Sequence, residues 1–288
     1  MTDDLRPRRS VLYMPAANER ALEKAKTIPA DAIIFDLEDA VAPDAKPDAR
    51  KRAAAAVLSG EYGRRELTIR CNGLDTEWGA DDLIAAAAAR PAAVVVPKID
   101  SVAQVEAVVG RLDASGAHDV AVWPMIETPT AIFEVRRIAA HPRVAVLVMG
   151  TNDLAKELRA PIVPGRHPLV PHLATALLAA REAGKVIVDG VFNDVKDAEG
   201  FAAECRQGME MGFDGKTLIH PSQVEPANDT WAPSEEEIDH SRRVIAAFEE
   251  AVADGRGVVT VDGRMIENLH VDNARRVLAV AEAIAANG

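Results

Sequence analysis

The chain has 288 residues and a formal net charge of −12, and 48% of its residues are hydrophobic while only 4% are aromatic. The negative charge argues against nucleic acid or an anionic membrane as a partner. The sequence contains no apolar run of 18 residues and no signal-like start, and its two cysteines fit no metal-ligand spacing. We therefore expect a cytoplasmic protein with reduced thiols.

Short apolar segments rich in β-branched residues alternate with alanine-rich amphipathic segments along most of the chain. Continuous apolar strands are typical of a parallel sheet that is buried on both faces. The predicted strands cover residues 10–14, 32–37, 66–71, 93–97, 120–126, 144–149, 185–188 and 217–219. The predicted helices cover residues 19–27, 48–58, 80–89, 101–112, 130–140, 169–182 and 198–209.

This alternation predicts a (β/α)8 TIM barrel, an α/β fold that typically needs about 250 residues. A doubly wound sheet is the alternative, but no G-x-G-x-x-G motif follows the first strand. The pattern then changes to a helix that begins near Pro233, a hairpin around Asp262-Gly263 and a last helix over about 268–286. We therefore expect a barrel domain over residues 1–225 and a C-terminal helix–hairpin–helix extension over residues 226–288.

Polar and ionisable side chains follow most of the predicted strands. In a TIM barrel the carboxyl ends of the strands carry the catalytic residues, so we expect these side chains to meet at one mouth. In chain order they are Asp36, Glu38, Asp39, Arg70, Asn72, Lys98, Glu127, Asp153, Asp189 and His220.

Glu127 and Asp153 follow the fifth and sixth predicted strands and are the best candidates for metal ligands. Mg²⁺ takes hard oxygen ligands, commonly one or two carboxylates completed by water and substrate oxygens. The pair therefore predicts a Mg²⁺ site with open positions for substrate oxygens, and we expect Mn²⁺ to substitute. The alternative is that each acid only begins the following helix, where the helix dipole favours negative charge.

Arg70 ends a buried strand, so its guanidinium must be paired or must reach the mouth, because an unpaired buried charge is costly. One interpretation is a structural salt bridge with Glu38 or Asp39. The other is a planar fork that binds a substrate carbonyl or carboxylate and neutralises a developing enolate. The two are compatible, since a catalytic arginine needs carboxylates to orient it. For Lys98, an ion pair at the rim and a substrate contact both stay open.

The sequence gives weaker signals for three further groups of candidate site residues. The segment Gly150-Thr151-Asn152 precedes a helix, so its backbone amides are candidates for binding a carboxylate. Arg20 and Lys24 lie one turn apart on the first helix and are candidates for phosphate contacts, although a solvated helix face is the commoner explanation. His220 precedes a proline, and we expect a structural role for it.

Eight short motifs follow one another along the chain. They are RSVLYMP at residues 9–15, FDLEDAV at 35–41, RCNG at 70–73, PK at 97–98, MIET at 125–128, GTNDL at 150–154, GFDGK at 212–216 and IHPSQ at 219–223. In this order they resemble the citrate lyase β-subunit-like branch of the HpcH/HpaI aldolase family, over about residues 8–285. The resemblance implies a Mg²⁺-dependent TIM barrel, trimeric or hexameric, that acts on acyl-CoA thioesters and α-keto acids.

The resemblance also implies roles for individual strand-end residues. Glu127 and Asp153 correspond to the metal ligands of the family. Arg70 corresponds to the arginine that stabilises the enolate, and Glu38 and Asp39 correspond to the acidic pair beside that arginine.

The resemblance further implies that the amides of residues 150–152 hold the keto-acid carboxylate. It makes the C-terminal extension a lid that closes over a neighbouring subunit's site and supplies an acid to it.

Lyases of the family carry Met-Ile-Asp in this segment, whereas this chain has Met265-Ile266-Glu267. A shift of about 1 Å in such an acid can cost on the order of 100-fold in rate. Residues 151–158 and 265–270 instead resemble a (3S)-malyl-CoA thioesterase subgroup.

We therefore predict a Mg²⁺-dependent acyl-CoA lyase that cleaves or forms the C–C bond of a 3-hydroxyacyl-CoA, such as malyl-CoA or citramalyl-CoA, through an enolate. Glu267 would transfer the proton at the enolate carbon. The first alternative is hydrolysis of the malyl-CoA thioester by the same residues. Less favoured alternatives are a carrier-dependent citrate lyase β subunit and an acyl-CoA-binding protein with little activity.

Overall fold

A computed structural model describes the chain over residues 6–255 and 257–287. Eight parallel strands hydrogen-bond to one another in chain order, and pairing of the last strand with the first closes them into a barrel. The predicted TIM barrel is therefore confirmed. The strands are β1 (Ser10–Pro15), β2 (Ala32–Asp36), β3 (Glu66–Arg70), β4 (Ala93–Val96), β5 (Ala121–Ile126), β6 (Val146–Met149), β7 (Val186–Asp189) and β8 (Gly215–Leu218).

Helices follow the barrel strands, as the alternating pattern predicts. They are α1 (Glu19–Ala25), α2 (Lys46–Leu58), α3 (Gly79–Ala89), α4 (Val102–Ala114), α5 (Pro129–Ala139), α6 (Thr151–Glu157), α7 (Val170–Glu182), α8 (Ala198–Met211) and α9 (Val224–Trp231). The helix ranges predicted above include neither α6 nor α9, although a helix was expected directly after Asn152. Pro226 lies in the first turn of α9, where its missing N–H costs no helical hydrogen bond.

Alternate residues of the strands face the interior of the barrel, because side chains in a strand point to opposite sides in turn. The buried interior is formed by Val11, Ala32, Ile34, Ala93, Val95, Trp123, Met125, Val146, Val148 and Val188. Asp36 continues the inward-facing series of β2, and Glu127 continues that of β5. The barrel core therefore directs these two carboxylates into the mouth.

The expectation that Asp189 faces the same mouth is wrong, because Asp189 follows the inward-facing Val188 and points outward. Its buried carboxylate accepts hydrogen bonds from Arg166 Nη1 at 2.7 Å and Lys216 Nζ at 3.0 Å. Glu204 of α8 accepts a second hydrogen bond from Lys216 at 2.7 Å. Two cations and two carboxylates thus neutralise one another between the barrel and its helices, which avoids an unpaired buried charge.

The chain divides into two compact units, one over Arg8–Thr230 and a second that contains the chain from Trp231 onward. The predicted boundary between residues 225 and 226 lies within α9. The second unit contains α10 (Glu235–Ala253), an antiparallel hairpin of β9 (Val259–Val261) and β10 (Arg264–Ile266), and α11 (Asn268–Asn287). Its own core is formed by Val244, Phe248, Val261, Ile266, Val271 and Ala274.

Both cysteines, Cys71 and Cys205, are buried free thiols. Burial raises the pKa of Cys71 well above its usual range and raises that of Cys205 to about 12. Both thiols therefore stay protonated and weakly nucleophilic at neutral pH. Over the described ranges, none of the helices combines the length and apolar character needed to span a lipid bilayer.

Candidate active site

A cavity of about 320 Å³ lies at the carboxyl ends of the barrel strands. Its wall includes the predicted residues Asp39, Arg70, Glu127 and Asp153 together with the segment Gly150-Thr151-Asn152. Candidates that are far apart in sequence therefore share one site. The volume is at the lower end of the range of about 300–1,000 Å³ for small-molecule sites, which suits a small carboxylic acid fragment.

The Arg70 guanidinium donates two parallel hydrogen bonds to Asp36, from Nε and Nη2, both at 2.7 Å. The pair forms because the register of β2 and β3 places these two terminal strand residues side by side. Asp36 also accepts hydrogen bonds from the backbone N–H of Glu38 at 2.9 Å and of Ala40 at 3.1 Å. Burial acts to lower the pKa of Arg70, but the hydrogen bonds and charge of Asp36 raise it well above its usual range.

Glu38, Asp39 and Tyr13 also contact the Arg70 guanidinium. The Glu38 carboxylate lies 2.8 Å from Nη1, and that of Asp39 lies 3.4 Å from the same atom. The Asp39 side chain is 74% exposed, so water screens its charge and its contribution is small. The ring of Tyr13 stacks on the guanidinium, with 4.7 Å between the guanidinium carbon and the ring centroid. The fork is therefore oriented before any substrate binds.

Two carboxyl groups near Arg70 have raised pKa values. Burial raises the pKa of Glu38 to about 7, although the charge of Arg70 acts in the opposite direction. Burial likewise raises the pKa of Glu127 to about 8, although the hydrogen bond from the Lys98 amide opposes this shift. Because desolvation disfavours the charged form of each acid, a cation placed beside either carboxylate would be stabilising.

Glu127 is held from two sides and is only 2% exposed. Its Oε1 accepts a hydrogen bond from the backbone N–H of Lys98 at 2.7 Å. Lys98 has a φ of 51°, which is uncommon for a residue other than glycine and places backbone strain beside the site. A Cβ at Gly150 would collide with the Glu127 side chain, so only glycine fits there. Within the described ranges, no ion pair to Glu127 is found.

Asp153 lies in the first turn of α6 and lines the same cavity as Glu127. In the part of the chain that the structure describes, no cluster of three or more His, Cys, Asp or Glu residues is placed to hold a metal. Mg²⁺ needs no such cluster, because it commonly uses one or two carboxylates with water and substrate oxygens. The pair therefore suits Mg²⁺ better than a structural Zn²⁺ site, which takes four protein ligands.

The three backbone amides of the segment Gly150-Thr151-Asn152 differ in their hydrogen bonding, although we expected all three to bind a carboxylate. The expected binding of a carboxylate is wrong for the Gly150 amide, because its N–H donates to the carbonyl of Ile126 at 3.1 Å. The amides of Thr151 and Asn152 belong to the first turn of α6, where no helical acceptor exists. The Asn152 side chain also exchanges hydrogen bonds with that of Asn193, at 3.1 and 2.8 Å.

Three predicted basic residues have exposed side chains. Arg20 and Lys24 lie on the solvent side of α1, and neither is in the cavity wall formed by the described residues. Lys98 is exposed beside the mouth. Burial acts to lower the pKa of Lys98, but the charges of Asp153 and Glu127 outweigh it and raise the pKa.

Two other predicted residues, His220 and Glu267, have exposed side chains. His220 is exposed, and its Nδ1 lies 2.7 Å from Ser222 Oγ at the start of a short 3-10 helix. Glu267 is exposed in the second unit, between β10 and α11. Its backbone N–H donates to His270 Nδ1 at 3.2 Å.

Sequence reasoning missed the main partner of Arg70, because it paired the arginine with Glu38 and Asp39 and not with Asp36. A signal was available, since Asp36 is the one acid in the otherwise apolar strand β2. Tyr13 also had a signal, because it lies two residues beyond the inward-facing Val11. The loop residues that line the cavity, such as Asn193, have no comparable periodicity.

Along nearly its whole length this chain is similar to known proteins. A profile described as HpcH/HpaI aldolase/citrate lyase matches residues 9–221, and one described as C-C bond lyase of the TIM-barrel fold matches residues 166–285. The (3S)-malyl-CoA thioesterase of Cereibacter sphaeroides is 51% identical over 288 residues, which are 100% of this chain and 99% of that protein. The citrate lyase subunit beta of Escherichia coli is 36% identical, over 96% of this chain and 94% of that protein.

Solved structures are also similar to this chain along nearly its whole length. The CitE protein of Mycobacterium tuberculosis, in complex with magnesium, acetoacetate and coenzyme A, is 30% identical with a TM-score of 0.79. The match covers 96% of this chain and 98% of that one. A citrate lyase from Burkholderia xenovorans is 24% identical with a TM-score of 0.85, over 98% of this chain and 93% of that one, and supports the fold alone.

Proposed function

This chain belongs to the HpcH/HpaI aldolase/citrate lyase family, and on that premise we propose a Mg²⁺-dependent enzyme that hydrolyses a 3-hydroxyacyl-CoA such as (3S)-malyl-CoA. One observation carries the proposal: the oriented fork of Arg70 shares a small cavity with the carboxylates of Glu127 and Asp153. Relatives that are 51–52% identical and named (3S)-malyl-CoA thioesterase favour hydrolysis over C–C cleavage, which the sequence alone placed first.

Glu127 and Asp153 are the residues that would hold Mg²⁺. Glu127 fits this role because its buried carboxylate lacks an ion pair within the described ranges and has a pKa raised to about 8. When bound, Mg²⁺ supplies positive charge for substrate oxygens and acts as a Lewis acid. Mn²⁺ is expected to replace it, because the same oxygen donors suit both ions.

Arg70 would stabilise the negative charge that develops on the thioester oxygen. In hydrolysis, water adds to the thioester carbonyl carbon and the carbonyl oxygen becomes an oxyanion. The C–S bond then breaks, and the products are malate and the free CoA thiol. Donors that are already oriented stabilise such a charge without reorganising, and Asp36 and Tyr13 orient this fork in advance.

C–C cleavage is the second candidate, because the 36% identical relative is a citrate lyase subunit beta. In that reaction the charge of the acetyl-CoA enolate develops on the same thioester oxygen, so Arg70 serves both chemistries. A carrier-dependent subunit or an inactive acyl-CoA-binding protein is less favoured, since the relatives named (3S)-malyl-CoA thioesterase are 51–52% identical, whereas the citrate lyase subunit beta is 36% identical. A cytoplasmic location and a homotrimer or hexamer complete the proposal.

Product analysis of (3S)-malyl-CoA incubated with the pure protein and Mg²⁺ tests this function. We expect free thiol and malate in equal amounts, and no glyoxylate. Glyoxylate with acetyl-CoA would instead establish the lyase reaction. Binding of malyl-CoA without formation of malate or glyoxylate would show that the protein binds acyl-CoA and does not turn it over.

A further inference from the structure

Lys46, the first residue of α2, is a buried cation that forms no ion pair with any carboxylate of the described residues. It is only 5% exposed. Its ammonium group donates to the carbonyls of Leu37 and Glu38, both at 2.8 Å, and to Asn72 Oδ1 at 2.7 Å. An ammonium group has three N–H donors and no acceptor, so these contacts use its full capacity. The ring of Trp78 lies 5.0 Å from the nitrogen.

The three acceptors belong to two neighbouring strand ends. Leu37 and Glu38 form the turn after β2, and Asn72 lies two residues beyond Arg70 on the continuation of β3. The Asn72 side chain also donates to the Leu37 carbonyl at 2.9 Å, so the turn and the strand end are linked twice. Lys46 thus ties together the two segments that bring the Glu38 carboxylate to within 2.8 Å of Arg70.

Asn72 is itself fixed from the helix layer. Its side-chain amide donates to Asp82 of α3 at 2.6 Å, and its backbone N–H donates to the same carboxylate at 2.9 Å. Arg50, one turn after Lys46 on α2, donates to Asp82 at 2.7 Å. The helices α2 and α3 therefore fix Asn72, one of the three acceptors of Lys46. We expect a change at Lys46 to move the turn after β2 and to leave the two helices in place.

We propose that Lys46 is a positioning residue that holds the turn after β2, and so orients the Arg70 fork toward the substrate. This inference rests on the function proposed above. Lys46 has no place in the cavity wall formed by the described residues, so it acts through the turn and not by touching substrate. Its three donors match three fixed acceptors, which an uncharged side chain of similar length cannot do.

The variant Lys46→Met keeps an unbranched side chain that is one atom shorter than that of Lys, and it removes all three donors. Displacing a catalytic group by about 1 Å can cost on the order of 100-fold in rate, so we expect kcat to fall about 10- to 100-fold. The KM for malyl-CoA should change less than about threefold, because the contact of Arg70 strengthens as charge develops on the substrate.

Two control variants separate positioning from loss of stability. Lys51 lies on the same helix, but its side chain is 78% exposed and pairs with the exposed Asp48, so Lys51→Met should behave as wild type. Leu173→Ala removes a buried side chain of α7, a helix that packs on α5 and β7, so it should lower Tm while kcat, measured well below that Tm, stays unchanged. Lys46→Met with reduced Tm but wild-type kcat would overturn the proposal.

A double-mutant cycle tests whether Lys46 acts through the turn. If it does, adding Lys46→Met to Glu38→Gln should lower kcat little further than Glu38→Gln alone. Effects that multiply in full would show that Lys46 acts independently of Glu38 and would overturn the proposal.

A spectroscopic readout keeps the test independent of turnover. The Nε–H resonance of Arg70 can be assigned by its loss in Arg70→Lys, and it should shift in Lys46→Met but not in Lys51→Met or Leu173→Ala. If the wild type fails to turn over malyl-CoA, the proposed function fails and this resonance still decides the role of Lys46. An unshifted resonance would overturn that role.

Discussion

The planarity of the Arg70 guanidinium is the feature of a single residue on which the site most depends. Lys keeps the positive charge but loses the fork that binds Asp36 through two atoms. We expect Arg70→Lys to lower kcat by about 100-fold or more, on the scale measured for single donors to an oxyanion, with a smaller change in KM. Steady-state kinetics with malyl-CoA checks this, and unchanged kcat with raised KM would make Arg70 a simple binding residue.

The metal assignment depends on two further residues. Glu127→Gln and Asp153→Asn should each abolish most Mg²⁺ binding and nearly all activity, because a neutral amide oxygen is a weaker ligand for a hard cation. Both variants should keep the far-UV circular dichroism of the wild type. Titration calorimetry with Mg²⁺ measures the binding. Full turnover in either variant, or in wild type treated with EDTA, would contradict the assignment.

Glu127 also predicts how the metal-free protein responds to pH. Its pKa rises from the ordinary 4.5 to about 8 on folding, so between these values the unfolded chain releases a proton that the folded protein keeps. Stability without metal should therefore fall as pH rises through this range. Urea unfolding in EDTA at pH 6 and pH 7 should show this fall.

In Glu127→Gln the dependence should weaken by up to about 1.4 kcal/mol per pH unit, the value for one proton. Glu106→Gln, an exposed acid on α4, should not alter it. Equal pH dependence in wild type and Glu127→Gln would mean that Glu127 ionises normally in the folded protein.

At the scale of elements, the hairpin of β9 and β10 places Glu267 directly before α11. Glu267→Asp shortens the acid to the length that the family resemblance implies for lyases. We expect it to raise the ratio of glyoxylate to malate formed from malyl-CoA, because an acid within about 3 Å of the enolate carbon can protonate it to acetyl-CoA. Chromatography of both acids gives the ratio, and an unaltered ratio would place the choice between reactions elsewhere in the mouth.

The elements also show what the sequence could and could not predict. The strands were predictable because runs such as Ala32–Asp36 are wholly buried and, apart from the final Asp36, apolar, which the sequence pattern shows. The helix α9 was missed, and Pro226 in its first turn is one reason that the sequence does not read as helical there. Because side chains alternate along β7, Asp189 points outward once Val188 points inward. The sequence alone does not show which residues of a strand point inward, because that depends on packing across the barrel. The sequence analysis paired Arg70 with Glu38 or Asp39, which follow β2, whereas the register of β2 and β3 places Asp36 beside Arg70.

At the scale of the whole molecule, we predict that Glu267 acts in a neighbouring subunit's site. Arg70→Ala and Glu267→Ala should each be inactive or impaired alone. Mixed oligomers should recover activity, since about a quarter of the sites in a random 1:1 mixture combine an intact Arg70 with an intact Glu267. Co-expression with two affinity tags isolates the mixed species.

The matched control is a mixture of Arg70→Ala with the double variant that lacks both residues, which contains no intact Arg70 and should stay inactive. Recovery of activity in this control mixture would show that the activity does not come from sites that combine an intact Arg70 with an intact Glu267. Absence of recovery in the first mixture would argue that each lid serves its own subunit. Size-exclusion chromatography with light scattering should report a trimer or a multiple of it.

The alternation of the barrel strands has a consequence for how this protein can evolve. Inserting or deleting one residue within a strand would exchange the two faces for the remaining residues of that strand. On β7 it would bring the charged Asp189 inward and send Val188 to the helix layer, where Arg166 and Lys216 would lose their shared acid. Changes of length inside the strands should therefore be eliminated by selection. New substrate preferences should arise instead from loops at the mouth, such as the one that carries Asn193, where length can vary without disturbing the barrel.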